Sequence, residues 1–198
     1  MTLVLASTSA SRQAMLTAAG VPFEAVAPNV DESEIKAGLL AAGAGARDIA
    51  DALAEVKALR VSRRLPGALV LGSDQVLEMS DGCLLDKPEG RAGAEAHLRT
   101  LMGTEHRLVC GAVIALDGKP LWRVVDIARL TMRPLSDAFI ADYLGREGEA
   151  VLGSVGAYRM EGLGAQLFSK VVGNHFTILG LPLLQVLDFL RVRGVIAS

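Results

Sequence analysis

The chain of 198 residues is long enough to form one sizeable hydrophobic core. Its content of 51% hydrophobic and 21% charged residues is typical of a well-packed soluble protein. The formal net charge of −2 excludes a strongly basic surface, so we expect no nucleic-acid partner and no attraction to anionic lipid.

The two cysteines, Cys83 and Cys110, are too few for a disulfide framework and are not spaced like metal ligands. We interpret both as small apolar packing residues. No apolar run approaches the roughly 18 residues that span a bilayer, and the short run 3–6 follows no basic leader. We therefore expect a cytoplasmic protein without a signal peptide or a membrane partner.

The amino-terminal half alternates short apolar runs with amphipathic segments, which is the pattern of strands and helices. Ser9 is a helix N-cap candidate and Gly20 a C-terminal stop. The predicted elements are a strand at Leu3–Ala6, a helix over about Ala10–Ala19, a strand at Phe23–Ala27, a mobile alanine- and glycine-rich connection at Ala37–Ala46, a helix over Arg47–Arg64 and a strand at Leu69–Leu71.

The carboxyl-terminal half contains a strong hairpin signal, because Asp117-Gly118 favours a type I′ turn. Ser136 and Pro182 mark the starts of two helices. The predicted elements are a helix over Arg91–Met102, hairpin strands at His106–Leu116 and Leu121–Met132, a helix from Ser136 through Leu144, a strand at Leu167–Val172 and a helix over Leu183–Arg193. We predict one α/β domain, residues 1–198, with a mixed sheet and two lobes around a cleft; an α+β arrangement is the alternative.

Hydroxyl and cationic side chains follow the first predicted strand. Arg12 falls in the first turn of its helix, where a cation is unfavourable unless an anion lies nearby, and Ser7 and Ser9 add hydroxyl groups. A phosphate site and a solvated arginine beside an ordinary serine cap are equally compatible with this segment.

Lys57 shares a helix face with apolar residues that we expect to point to the core. The simpler interpretation is a lysine that snorkels to water, and the alternative is an ammonium group that meets a phosphate in a cleft. The apolar neighbours on that face are Ala50, Leu53, Ala54 and Val61.

Asp74 follows the apolar strand at 69–71, where a carboxylate could bind a hard cation or orient water. Asp31-Glu32 could supply a further oxygen ligand, although an acidic pair in a loop is most often solvated surface. Lys87 gains meaning only together with Asp74. We interpret the three histidines as structural and Trp122 as a packing residue; the histidines are His97, His106 and His175.

These residues, taken in order, resemble the motifs of the Maf family of nucleoside triphosphate pyrophosphatases. Leu5-Ala-Ser-Thr-Ser9 with Arg12 resembles the opening motif of that family, and the resemblance extends from Leu3 to about Arg193. The later matching segments are Asp31-Glu32, Lys57, Gly72-Ser-Asp-Gln-Val76, Lys87-Pro88, Gly156-Ala-Tyr158, Glu161-Gly162 and Gly180-Leu-Pro182.

The resemblance implies a two-lobed α/β fold around an elongated cleft, similar to that of the ITP/XTP pyrophosphatases. It implies cleavage of a nucleoside triphosphate between the α- and β-phosphates with Mg²⁺ or Mn²⁺ as cofactor, and it suggests a homodimer. Asp74 would accept the proton of water or help to hold the metal, and Glu32 would be a metal ligand. The residues that would hold the phosphates are Ser7, Ser9, Arg12, Lys57 and Lys87.

Substrate choice in this family is associated with three positions, here Ser11, Gln75 and Glu161. Gln75 and Glu161 resemble the branch that hydrolyses 7-methyl-GTP, whereas the branch acting on dTTP and UTP typically has threonine and glutamine there. Ala10 and Ser11 depart from the usual proline and from the usual tryptophan or arginine. A dTTP/UTP pyrophosphatase and a nucleotide-responsive protein associated with septum formation are the alternatives.

Overall fold

The computed structural model describes residues 2–197, in which strands and helices are interspersed along the chain. The strands are β1 (Leu3–Leu5), β2 (Phe23–Ala25), β3 (Leu69–Met79), β4 (Leu84–Leu85), β5 (Glu105–Leu116), β6 (Lys119–Met132) and β7 (Phe168–Val172). The α-helices are α1 (Ala10–Ala18), α2 (Glu32–Ala41), α3 (Ala46–Ser62), α4 (Gly90–Leu101), α5 (Asp137–Glu147), α6 (His175–Ile178) and α7 (Leu183–Val192). Short 3₁₀ helices occupy Gly148–Gly153, Val155–Ala157 and Leu163–Leu167.

The seven strands form a mixed sheet in the order β2-β1-β3-β5-β6-β7, with β4 paired to β3. Strand β1 is parallel to both β2 and β3, whereas the β3–β4 and β6–β7 pairs are antiparallel. This arrangement confirms the predicted α/β class with a mixed sheet.

Two compact units make up the chain, and strands β3, β5 and β6 have residues in both. The first unit comprises Met1–Gln75, Cys110–Asp126 and His175–Ser198; the second comprises Val76–Val109 and Ile127–Asn174. The single domain over 1–198 and the cleft implied by the resemblance stay predictions.

In the first unit, alternate residues of the strands pack against helices on opposite faces of the sheet. Leu3 and Leu5 lie in a cluster with residues of α1 and α7, whereas Val4 lies with Val61 of α3 in another. Trp122 packs against Phe189 with ring centroids 5.4 Å apart, as predicted for a packing residue.

Helix α3 lies unusually close to the sheet because glycines face it. A Cβ atom on Gly72 of β3 would lie 2.6 Å from the backbone nitrogen of Ala58, and one on Gly111 of β5 would lie 2.7 Å from the carbonyl carbon of Ala50. Both distances are shorter than a real Cβ contact allows. These glycines therefore let α3 bring its buried face directly onto β3 and β5.

Residues near the ends of helices and strands correctly predicted several of those ends. The Ser9 hydroxyl caps α1 by accepting from the backbone nitrogen of Arg12, and the Ser136 hydroxyl caps α5. Asp117 and Gly118 both have positive φ, at 50° and 74°, which confirms the type I′ turn.

The predicted mobile connection at Ala37–Ala46 is wrong, since helix α2 extends to Ala41 and α3 begins at Ala46. Alanine and leucine favour helix, and the Asp31 carboxylate caps α2 by accepting from the backbone nitrogen of Glu34 at 3.0 Å. The acidic pair Asp31-Glu32 is accordingly not a loop pair. It consists of a cap and the first helical residue.

The strand predicted at Leu69–Leu71 continues to Met79, so Asp74 lies inside β3 and not beyond its end. The polar run Gly72-Ser-Asp interrupts the apolar pattern without interrupting the strand, because these positions face α3 and buried hydrogen-bond partners.

In the second unit, a buried aromatic cluster confirms that His106 is structural. Its Nε2 lies 2.8 Å from the Tyr158 hydroxyl, and Tyr158 packs edge-on against Phe168 with centroids 4.8 Å apart. Burial lowers the pKa of His106 to about 4, which keeps the ring neutral.

The cysteine interpretation is half right. Cys110 is fully buried, as expected for an apolar packing residue, but Cys83 is exposed in the segment before β4. None of the helices in residues 2–197 combines the length and apolar character needed to cross a membrane.

Candidate active site

Lys57 and Asp74 form a buried ion pair in the first unit. Lys57 Nζ of α3 lies 2.5 Å from Asp74 Oδ1 of β3, and the two side chains are only 5% and 10% exposed. The interpretation of Lys57 as a snorkelling residue is therefore wrong. The ammonium group points to the sheet because Gly72 lets α3 approach β3, two residues before Asp74.

Glu32 adds a second carboxylate to the same ammonium group. Its Oε1 lies 2.9 Å from Lys57 Nζ, and its side chain is 47% exposed at the start of α2. The Lys57 ammonium group thus holds one buried and one solvent-facing carboxylate. The roles of Glu32 and Asp74 as metal ligands stay predictions.

Burial raises the pKa of Asp74 above its ordinary value, and the charge of Glu32 adds a smaller effect in the same direction. The positive charges of Lys57 and Arg12 oppose this shift. A buried carboxylate of this kind takes up a proton more readily than an exposed aspartate, which suits the work of a general base.

Arg12 is partly buried and held on two sides. Its Nε donates to the Gly180 carbonyl at 2.7 Å and its Nη1 donates to the Ser7 hydroxyl at 3.3 Å. The Ser9 backbone nitrogen also donates to that hydroxyl, at 3.2 Å. Since both acceptor positions of Ser7 are used, its hydroxyl hydrogen is the group that can be donated to an anion.

The start of α1 therefore lies beside the Ser7 hydroxyl of the preceding segment and a guanidinium group that two hydrogen bonds fix. Such a combination stabilises a phosphate oxyanion through charge-assisted hydrogen bonds. Arg12 is therefore not a freely solvated arginine, which was one of the two interpretations of this segment.

The donor chemistry of Glu32 and Asp74 fits a hard divalent cation. Magnesium ordinarily uses one or two protein carboxylates together with water and substrate phosphate. Here both carboxylates lie within ion-pair distance of Lys57 Nζ. Across residues 2–197, no group of three or more histidine, cysteine, aspartate or glutamate side chains is arranged to hold a metal ion.

Lys87 and Glu161 belong to the second unit, and their roles stay predictions. Lys87 is exposed between β4 and α4, next to the buried Pro88. The Glu161 carboxylate lies 3.4 Å from Arg159 Nε. Ser11 lies half-buried on α1 in the first unit.

Gln75 and its neighbours make contacts that the sequence did not predict. Gln75 Nε2 donates to the carbonyls of Thr177 and Ile178 at 2.8 and 3.1 Å. Ser73 Oγ lies 2.8 Å from the Gly111 carbonyl. The sequence signals these contacts only through the polar run 72–75. The hydrogen-bond partners of Ser73 and Gln75 lie about 40 to 100 positions away along the chain, so the pairing itself has no local pattern.

The sequence is similar to known proteins over nearly its whole length. A model of the Maf-like protein family matches residues 2–193. A protein of Caulobacter vibrioides named nucleoside triphosphate pyrophosphatase is 53% identical over 98% of this chain and 96% of its own length. Proteins of the same name from Sphingopyxis alaskensis and Ruegeria pomeroyi are 50% and 49% identical; the matches cover 98% of this chain in both cases, and 98% and 97% of the relatives. With a match over nearly its whole length, the chain belongs to the Maf-like protein family.

Proposed function

We propose that this chain is a nucleoside triphosphate pyrophosphatase that hydrolyses the bond between the α- and β-phosphates to give a nucleoside monophosphate and pyrophosphate. The name of its relatives supports this class of hydrolase. The observation that carries the proposal is the buried Asp74–Lys57 pair in the same unit as the Arg12–Ser7 anion site.

Asp74 acts as the general base. Its carboxylate, with a pKa raised by burial, accepts a proton from water while the water oxygen bonds to phosphorus and the bridging P–O bond breaks. Lys57 keeps the Asp74 carboxylate in place through Nζ and leaves its second oxygen to take up the proton.

Arg12 and Ser7 stabilise the charge that develops on the phosphate oxygens. A guanidinium group fixed by the Gly180 carbonyl loses little rotational freedom when it meets the substrate. Preorganised donors of this kind are the largest single contribution to many hydrolytic reactions.

Glu32 and Asp74 are the residues that would hold Mg²⁺ or Mn²⁺. A cation bound there would supply positive charge for the phosphate oxygens and a more acidic water. The half-exposed position of Glu32 leaves this carboxylate accessible from solvent, whereas Asp74 stays buried.

We further propose 7-methyl-GTP as the preferred substrate, with dTTP and UTP as the second candidates. A glutamate at position 161 can accept hydrogen bonds from the guanine ring and exocyclic nitrogens, and it complements the positive charge that N7 methylation adds. Because the Gln75 amide nitrogen already donates to two backbone carbonyls, we assign the base preference mainly to Glu161.

Pyrophosphate release with Mg²⁺, measured across 7-methyl-GTP, GTP, dTTP, UTP and CTP, tests both levels of the proposal. The Glu161→Gln variant should lose 7-methyl-GTP turnover selectively, and Glu149→Gln, an exposed glutamate of the same unit, is the matched control. Preference for pyrimidines, or an equal loss on every nucleotide, would refute the assignment of Glu161.

A folded wild-type protein that melts at higher temperature with nucleotide but releases no pyrophosphate would refute the activity and favour the binding protein of the septum-formation alternative. The homodimer and the cytoplasmic location stay predictions. Light scattering coupled to size-exclusion chromatography tests the homodimer.

A further inference from the structure

A series of hydrogen bonds, most of them partly buried, connects Asp126 to Arg12 within the first unit. It passes through residues 177–180, which we call the Gly180 segment and which include the last turn of α6. Thr177 is fully buried, and its Oγ1 donates to Asp126 Oδ2 at 2.5 Å. The proposed reaction gives Thr177 and Asp126 no direct role.

The Gly180 segment is fixed by a second group of contacts from β3. The Gln75 amide nitrogen donates to the carbonyls of Thr177 and Ile178, and the Ser73 hydroxyl lies 3.1 Å from the Gly180 carbonyl. The segment is thereby held from two sides, by Asp126 of β6 and by the polar run of β3.

The end of the segment is the acceptor for Arg12. Gly180 has a φ of +98°, and its carbonyl accepts from Arg12 Nε at 2.7 Å. A Cβ atom at this position would lie 3.5 Å from Arg12 Nη2, so the backbone runs directly along the guanidinium group. Any shift of the segment would therefore shift the plane of Arg12.

We propose that Thr177 and Asp126 are positioning residues that set the orientation of the Arg12 guanidinium group toward the phosphates. This inference rests on the proposed function, in which Arg12 binds phosphate. Because a planar guanidinium group binds phosphate oxygens with a fixed geometry, misorientation weakens binding of the phosphates and leaves recognition of the base unchanged.

Thr177→Val removes the hydroxyl at nearly constant volume, and Thr177→Ser restores it. We expect Thr177→Val to lower kcat/KM by about 10-fold, equally on all nucleotides, because the bond lost is one to a charged group. Thr177→Ser should recover most of the activity. Thr100→Val, which removes a hydroxyl that donates to the Ala96 carbonyl on the exposed surface of α4, is the matched control.

A double-mutant cycle with Arg12→Ala distinguishes positioning from general structural damage. If Thr177 acts through Arg12, Thr177→Val causes no further loss of kcat/KM in the Arg12→Ala background. A 10-fold loss in both backgrounds, or a loss that Thr177→Ser does not recover, would overturn the inference. Should Thr177→Val fail to fold, Asp126→Asn weakens the same hydrogen bond from the other side and takes its place in the cycle.

The same cycle is measured on the affinity for inorganic pyrophosphate by calorimetry, which requires no turnover. Coupling between Thr177 and Arg12 in this affinity supports the inference whether or not the protein hydrolyses nucleotides. An absence of hydrolysis would refute only the proposed function. Equal affinities of wild type and Thr177→Val for pyrophosphate would overturn the inference while leaving the proposed function standing.

Discussion

Replacing Lys57 by methionine tests the central electrostatic feature of the site. The substitution keeps an unbranched side chain on α3 and removes the charge that lies 2.5 Å from Asp74. Breaking a buried ion pair by removing one partner costs about 3–5 kcal/mol. We expect a loss near the lower end, about 3 kcal/mol, because Arg12 still favours the ionised form of Asp74.

The contact of Lys57 with Glu32 adds little to this loss. The Glu32 side chain is 47% exposed, so its ion pair is screened by solvent and contributes about 0.5 kcal/mol or less. The expected decrease in melting temperature is then about 6–12 °C for a chain of this size.

The loss should depend on pH with a defined sign. Burial raises the pKa of Asp74 above its ordinary value of 3.8, and removing Lys57 raises it further. For a carboxyl group with a raised pKa in the folded state, stability is highest below the ordinary pKa and falls as the pH rises through the folded-state pKa. Lys57→Met should therefore be more destabilising at about pH 8 than at about pH 5.

Urea unfolding of wild type, Lys57→Met and Lys57→Met/Asp74→Asn at both pH values measures these differences in the free energy of unfolding. The double variant should be more stable than Lys57→Met, because it no longer buries an unpaired carboxylate. A loss below about 1 kcal/mol at the higher pH, or a loss independent of pH, would refute the argument.

Three further predictions concern activity, packing and acid stability. Asp74→Asn should abolish pyrophosphate release while the circular dichroism spectrum is retained; near-normal turnover would remove Asp74 from the role of base. Gly72→Ala should separate α3 from β3 and reduce both stability and activity. The control Gly145→Ala, on an exposed helix surface with open space at Cβ, should stabilise the protein by about 0.5–1 kcal/mol. Equal effects of the two substitutions in thermal melts would contradict the close approach of α3 to β3. Since the pKa of His106 is lowered to about 4, wild-type stability should fall as the pH falls from about 6.5 through 4. The urea midpoint of His106→Phe should depend less on pH in this range. An unchanged pH dependence would refute the assignment of this acid destabilisation to His106.

The parts of the fold that could be predicted from the sequence are those with local causes. The Ser9 cap and the Asp117-Gly118 turn depend on residues only a few positions apart, so the sequence signal and the structural cause coincide. Helix α2 was missed although its cap is also local, because the alanine- and glycine-rich composition of 37–46 resembled a connection more than a helix.

The burial of Lys57 could not be predicted, since a lysine on an apolar helix face can either snorkel or pair. The outcome depends on how closely α3 approaches β3, and that distance is set by Gly72, fifteen positions along the chain. The hydrogen bond between Thr177 and Asp126 has no sequence signal either, because it joins side chains 51 positions apart. In both cases tertiary packing decides what the side chain does.

The contrast between the two thiols has a practical consequence for spectroscopy. Burial raises the pKa of Cys110 to about 12, so this thiol is neither accessible nor nucleophilic in the folded protein. Cys83 is exposed, and its pKa is raised by a hydrogen bond to Asp81 and the charge of that residue, so alkylation should be faster at alkaline pH. A maleimide fluorophore should consequently attach to the natural sequence at one defined position, without cysteine substitutions.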